Sequence, residues 1–211
     1  MKRQEQARSD EAAIPEWMYR WLGYGDIRSP LWFVGIEPGG RLEGYSRDEP
    51  PARHSLGSEY FHVVETRPEG GGTRVWSRCK DIAAKAGFGS DYFLSNMSPI
   101  PSRDAVQANG ASPDRLNDYH ELLYLAYRTF EPRAVVFHGK GERGRRGFYS
   151  HGLNATFKLG NSPQQIKVDA RGHTIHKFSP ERILLCGNFS RGVSAGMLEA
   201  VSGTLQEWQR P

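Results

Sequence analysis

The chain has 211 residues, enough for one domain with a sizeable core, and carries a net charge of +4 with a pI near 9.1, a balance that mildly favours a polyanionic partner. Hydrophobic residues make up 37% and charged residues 25%, and no apolar run reaches the roughly 18 residues of a membrane span, so a membrane-spanning helix is excluded. Two cysteines, Cys79 and Cys186, are too few for a cysteine-ligated iron–sulfur cluster and lack the close His/Cys spacing of a structural zinc site, so both are expected to be reduced core thiols.

Residues 1–12 are charged where a secretory signal would be apolar; they are read as a flexible tail before a single domain spanning 13–211, with the cytoplasm as the expected location. A helix is predicted from Pro15 to Leu22, with the proline in its first turn. LWFVGIEPGG then reads as a buried strand, Leu31 to Val34, broken by Gly35, Pro38, Gly39 and Gly40. After a polar loop of roughly thirty residues, TRVWSRCKDIAAKAG shows helical spacing through Val75, Cys79, Ile82 and Ala83 and stops at Gly87. Tyr92 to Ser95 forms a second strand, ended by prolines. Ser112-Pro113-Asp114 starts a helix with Leu116, Tyr119, Leu122, Leu123, Ala126 and Phe130 on one side.

RAVVFHG is the third buried strand, and Ile166 to Lys177 alternate as a hairpin turning at Arg171-Gly172. RILLCG is the fourth strand, and VSAGMLEAVSGTLQEWQ closes the chain as a helix. Four buried strands separated by helices imply an α/β fold, a three-layer α/β/α sandwich around a mostly parallel four-stranded sheet. Ligands of such sheets sit beyond the carboxyl ends of the strands. Polar residues punctuate those ends: Glu37 after the first, Asn96 after the second, His138 to Arg146 after the third and Asn188 to Ser194 after the fourth. One site is therefore expected there.

The order of these segments resembles the uracil-DNA glycosylase superfamily. GIEPGG is similar to its water-activating loop, Gly-x-Asp/Asn-Pro followed by Tyr or Gly, with Glu37 in the acidic or amide place. Asn96 of LSNMSPIP resembles the asparagine that reads the base edge. In CGNFSRGVSAG, Asn188 and Ser190 match the first and third places of the loop written His-Pro-Ser-Pro or Asn-Pro-Ser-Gly in the family. The mismatch-specific thymine or uracil branch looks nearest, through TRVWSRCKDIAAKAGF, PIPSRDAVQAN and EPRAVVFHGK in that order. The resemblance spans roughly Leu31 to Ala200. Three features depart from the family: glutamate at position 37, Phe189 in place of the loop proline, and one residue more between Asn188 and Ser194.

What the resemblance implies is excision of a flipped-out base by hydrolysis of its N-glycosidic bond, without a metal or other cofactor, by a protein working as a monomer on DNA. Breaking that bond builds positive charge on the sugar and negative charge on the base. Glu37 would orient a water and stabilise the cation, and Asn188 would hold the leaving group or the water. Asn96, with one acceptor and two donors, suits a pyrimidine edge; Ile36 counts with it in the base-binding set, and Tyr60 or Phe61 would stack on the flipped base. Arg191 or Val193 would fill the gap left in the duplex. Gly39, Ser98, Ser190 and Ser194, with the basic cluster Lys140, Arg143, Arg145 and Arg146 of GKGERGRRG, would contact the backbone of DNA.

Plainer roles compete for the same residues. Glu37 can cap a turn, Asn96 and Asn188 can stabilise loops, the aromatics can be core and the basic cluster can be a solvated loop. His138, directly after a buried strand, is read as a satisfied core residue and not as catalytic. His173 and His176 stand three apart in a strand, so they would point to opposite faces and make no metal pair. Two further readings keep the fold: a glycosylase for a bulky modified phage base, with the long Arg41 to Gly72 loop shaping a roomier pocket, and a DNA-binding protein without catalysis. A nucleotide-binding enzyme is disfavoured, because neither GxGxxG nor GxxxxGK[ST] occurs.

Overall fold

The computed structural model describes residues 23–35, 74–96, 113–139, 157, 159, 163–170, 172–189 and 193–210. Its strands are β1 (Gly23–Tyr24), β2 (Leu31–Gly35), β3 (Tyr92–Asn96), β4 (Ala134–His138), β5 (Gln164–Lys167), β6 (Thr174–Phe178) and β7 (Ile183–Cys186). The described helices are α1 (Arg74–Lys85), α2 (Pro113–Phe130) and α3 (Ala195–Gln209). The predicted helix from Pro15 to Leu22 lies outside the described residues.

All seven strands join one sheet in the order β1-β3-β2-β4-β7-β6-β5. The four strands expected from their apolar runs are its centre: β3, β2, β4 and β7 are parallel neighbours. The expected four-stranded sheet is nevertheless too small. β1 adds an antiparallel edge beside β3, and the hairpin β5–β6 docks on β7, also antiparallel, making the sheet mixed and seven-stranded. The hairpin's sequence hides this placement, because β6 carries His176 and Lys177 at buried positions. Lys177 is tolerated there because Nζ donates to both carboxylate oxygens of Glu207 at 2.8 Å and lies 5.7 Å from the centre of the Trp208 ring.

The central strands are buried on both faces, which is why they read as continuous apolar runs rather than alternating ones. On one face Leu31, Phe33, Tyr92, Leu94, Val136 and Leu184 pack against Cys79, Ile82 and Ala83 of α1 and Met197, Val201 and Leu205 of α3. On the other, Trp32, Val34, Phe93, Val135, Phe137 and Leu185 pack against Leu123 and Ala126 of α2 and against Phe157 and Leu159. Helices thus cover both faces, as an α/β fold requires. Trp32 enters the core without an orphaned donor, its indole N–H bonding the carbonyl of Ile27 at 3.1 Å. Helix α1 ends where expected: Gly87 adopts φ 85, and the amides of Gly87 and Phe88 return to the carbonyls of Ala84 and Ala83 at 3.1 and 2.9 Å. Cys79 and Cys186 are buried free thiols, and burial pushes the Cys186 thiol far above its ordinary range, so it stays protonated.

The chain leaves β2 through α1 to β3 on one side, then crosses through α2 to β4 on the other side of β2. The order of connections therefore reverses between β2 and β4, and the carboxyl ends of those two strands flank the crevice where open α/β sheets bind ligands. Leu184 is fully buried between β4 and β6. Leu184→Ala is expected to lower unfolding free energy by about 2–5 kcal/mol, read from the midpoint of urea denaturation with an unchanged slope.

Candidate functional site

Strand register aligns the carboxyl ends of the four central strands. Gly35 pairs with Asn96 across β2 and β3, Val34 pairs with Phe137 across β2 and β4, and His138 pairs with Cys186 across β4 and β7. Asn96, Gly35, His138 and Cys186 thus form the last transverse row of the parallel strands. The row two residues earlier is apolar throughout: Leu94, Phe33, Val136 and Leu184. Side-chain alternation keeps the two rows on one face, the face covered by α1 and α3. The change from apolar to polar thus occurs at the edge where the crevice opens.

Gly35 makes the convergence possible. A Cβ at that position would lie 2.6 Å from Oδ1 of Asn96, 3.1 Å from Cε1 of His138 and 3.4 Å from Nε2 of the same ring. Any larger residue would push the amide and the imidazole apart, so the notch above Gly35 is shared by an Asn and a His held close together.

His138 is buried, as expected, but it is not satisfied. Among the described residues its Nδ1 has no hydrogen-bond partner. Burial lowers its pKa from 6.5 to about 4, so the ring is neutral at physiological pH. Phe189 lies flat against it, with ring centroids 4.6 Å apart and planes 10° from parallel, and also meets Phe33 edge-on at 6.3 Å. Phe189 is fully buried, and Nη1 of Arg78 on α1 donates to its carbonyl. Phe189 is therefore an aromatic plug that holds the chain after β7 onto the sheet edge, with its neighbour Asn188 exposed.

The other end of the loop is fixed differently. Ser194 caps α3, its hydroxyl accepting from the Met197 amide at 3.2 Å, and also hydrogen-bonds Asp169 in the β5–β6 turn. Ser194 is half-buried, and Val193 is half-buried against the α1/α3 core. Asp169 also accepts from the His173 amide at 3.1 Å and from Nδ1 of its ring at 2.6 Å, and the His173 side-chain hydrogen bond leads the effects that draw its pKa down to about 2. This Asp169–His173 lock was not expected. Its only sequence signal is an aspartate opening a turn that closes on Gly172. His173 stands just before β6, and only His176 lies in the strand.

Of the expected site residues, Asn96, Asn188, Val193 and Ser194 are described. Ile36, Glu37, Gly39, Tyr60, Phe61, Ser98, Lys140, Arg143, Arg145, Arg146, Ser190 and Arg191 lie outside the described residues. Among the described residues no group of three or more His, Cys, Asp and Glu side chains is placed to hold a metal ion, and no helix is long and apolar enough to cross a membrane. Compared with protein-family models and with curated proteins, the chain matches none.

The neutral burial of His138 makes stability depend on pH. The unfolded chain takes up a proton near pH 6.5, whereas the folded state resists it until about pH 4, so stability is lost as pH falls through that interval. The contribution is on the order of 3 kcal/mol. Urea titrations at several values between pH 7 and 4.5 should show the decline, and His138→Phe should flatten it relative to the parent protein.

Proposed function

We propose that the protein is a DNA glycosylase of the uracil-DNA glycosylase type, hydrolysing the N-glycosidic bond of a flipped-out pyrimidine to leave an abasic site. One observation carries this reading. The four motif-bearing segments follow β2, β3, β4 and β7, which are parallel neighbours, so all four leave the same edge of the sheet. The last residues of those strands, Asn96, Gly35, His138 and Cys186, share one transverse row, which supports a single site there, and the fold is read as a divergent form of that superfamily's α/β/α sandwich.

In this reading the base enters above Gly35, where the Asn96 amide offers an acceptor and two donors to its edge. Glu37, two residues beyond Gly35, orients the attacking water and stabilises the positive sugar in the transition state; a general base of this kind contributes about 10²–10⁴-fold. Asn188 is exposed on the loop that Phe189 plugs, in reach of solvent and of a docked strand, where it would hold the leaving base or the water. Ile36 lies against the base, Tyr60 or Phe61 stacks on it, and Arg191 or Val193 fills the vacated place in the duplex. Gly39, Ser98, Ser190, Ser194, Lys140, Arg143, Arg145 and Arg146 contact phosphates.

A bulky modified phage base is the second reading. Glu37 and Phe189 stand where uracil-type enzymes keep other residues, and the Arg41 to Gly72 segment is long enough to shape a wider pocket. One assay tests both readings. The pure protein is incubated without added metal with duplex and single-stranded DNA carrying uracil, G·T, G·U, hydroxymethylated or glucosylated bases, and abasic sites are then cleaved with alkali. A cut at one base establishes the glycosylase and names its substrate. Tight binding without a cut on any DNA supports instead a non-catalytic DNA-binding protein.

Glu37→Gln is expected to fold normally and to lose about 100-fold or more in excision rate; equal activity would remove Glu37 from the chemistry. Replacing Arg143, Arg145 and Arg146 together by alanine should weaken binding to every DNA sequence alike and flatten its dependence on salt, measured by fluorescence anisotropy.

A further inference from the structure

His138 is an expensive residue for its position. It is 6% exposed, sits in the core beside Cys186 and Phe189, and finds no partner for Nδ1 among the described residues. A phenylalanine would stack on Phe189 as well and would bury no unsatisfied nitrogen. Core packing alone therefore does not account for a histidine at this position.

The geometry indicates what the ring is for. An unpaired buried acceptor is tolerated better than an unpaired buried N–H, so the proton of the neutral ring belongs on Nε2. Nε2 is also the nitrogen turned toward the notch, 3.4 Å from where a Gly35 side chain would begin, with Oδ1 of Asn96 2.6 Å from the same point. Phe189 fixes the plane of the ring, so the direction of that N–H is set before any ligand arrives. A donor and an acceptor are thus held side by side above a glycine, at the crevice between β2 and β4.

We propose that His138 is a ligand-contacting residue of this site, donating from Nε2 to an acceptor, a carbonyl oxygen or unprotonated ring nitrogen, on the edge of the planar base that Asn96 reads. The assignment rests on the reading that a base is drawn into the notch. It selects for bases that present an acceptor there, and the contact persists in mildly acidic solution because the ring stays neutral.

The test uses the full chain in two measurements. Side-chain ¹H–¹⁵N spectra of the parent protein at pH 6.5 should show His138 as the neutral Nε2–H tautomer, and millimolar uracil or cytosine, added as free bases, should shift its signals. His138→Phe, which keeps the stack on Phe189, should weaken the response of the Asn96 amide to the same bases roughly tenfold and slow excision by at least that factor, with duplex affinity little changed. Histidine signals unmoved by either base, or a His138→Phe protein equal to the parent in base response and excision, would overturn the proposal. If His138→Phe fails to fold, the spectra of the parent protein decide alone. A His138-dependent base response in a protein that cuts none of the DNAs would keep this contact and retire the glycosylase reading; excision with no dependence on His138 would do the reverse.

Discussion

Parallel pairing of β3, β2, β4 and β7 is the constraint from which the rest of the structure follows. Parallel strands need crossover connections, and crossovers that return across both faces bury both sides of the sheet. That double burial explains the runs LWFVG, AVVFH and ILLC, and it leaves polar residues only where the strands end. Because the four strands point the same way, those ends share one edge. The crevice at the reversal between β2 and β4 is therefore a product of topology, and Gly35 and His138 occupy it because they close those two strands.

The edge is organised by one aromatic contact. Phe189 lies on His138 and against Phe33, and Arg78 holds its carbonyl, so the loop after β7 is tied to both the sheet and α1. The far end is tied by Ser194, which joins the cap of α3 to Asp169 and through it to His173. The hairpin β5–β6 contributes no residue to the row at the strand ends, but Asp169 beside its turn bonds both His173 and the serine that caps α3.

Much of the fold was legible in the residues. Continuous apolar runs marked the four central strands, and the helical spacing of Cys79, Ile82 and Ala83 with a stop at Gly87 marked α1 nearly to the residue. The membership of β6 in the sheet was not legible, since a strand carrying His176 and Lys177 reads as half-exposed until Glu207 and Trp208 of α3 are brought beside it. The orientation of His138 was hidden for a similar reason. A histidine after a buried strand reads as core, and only the position of Gly35 and Asn96 across the sheet shows which way its ring faces.

The sequence by itself therefore determined the α/β class, the four central strands and the polar residues at their ends, because burial on two faces and chain-local periodicity are written in consecutive residues. The tertiary structure alone decided the seven-stranded mixed sheet, the convergence of Asn96 and His138 over Gly35, and the plugging of the last loop by Phe189. Each of these depends on strand order and register, which are settled by contacts between segments distant in the chain, and no local pattern encodes them.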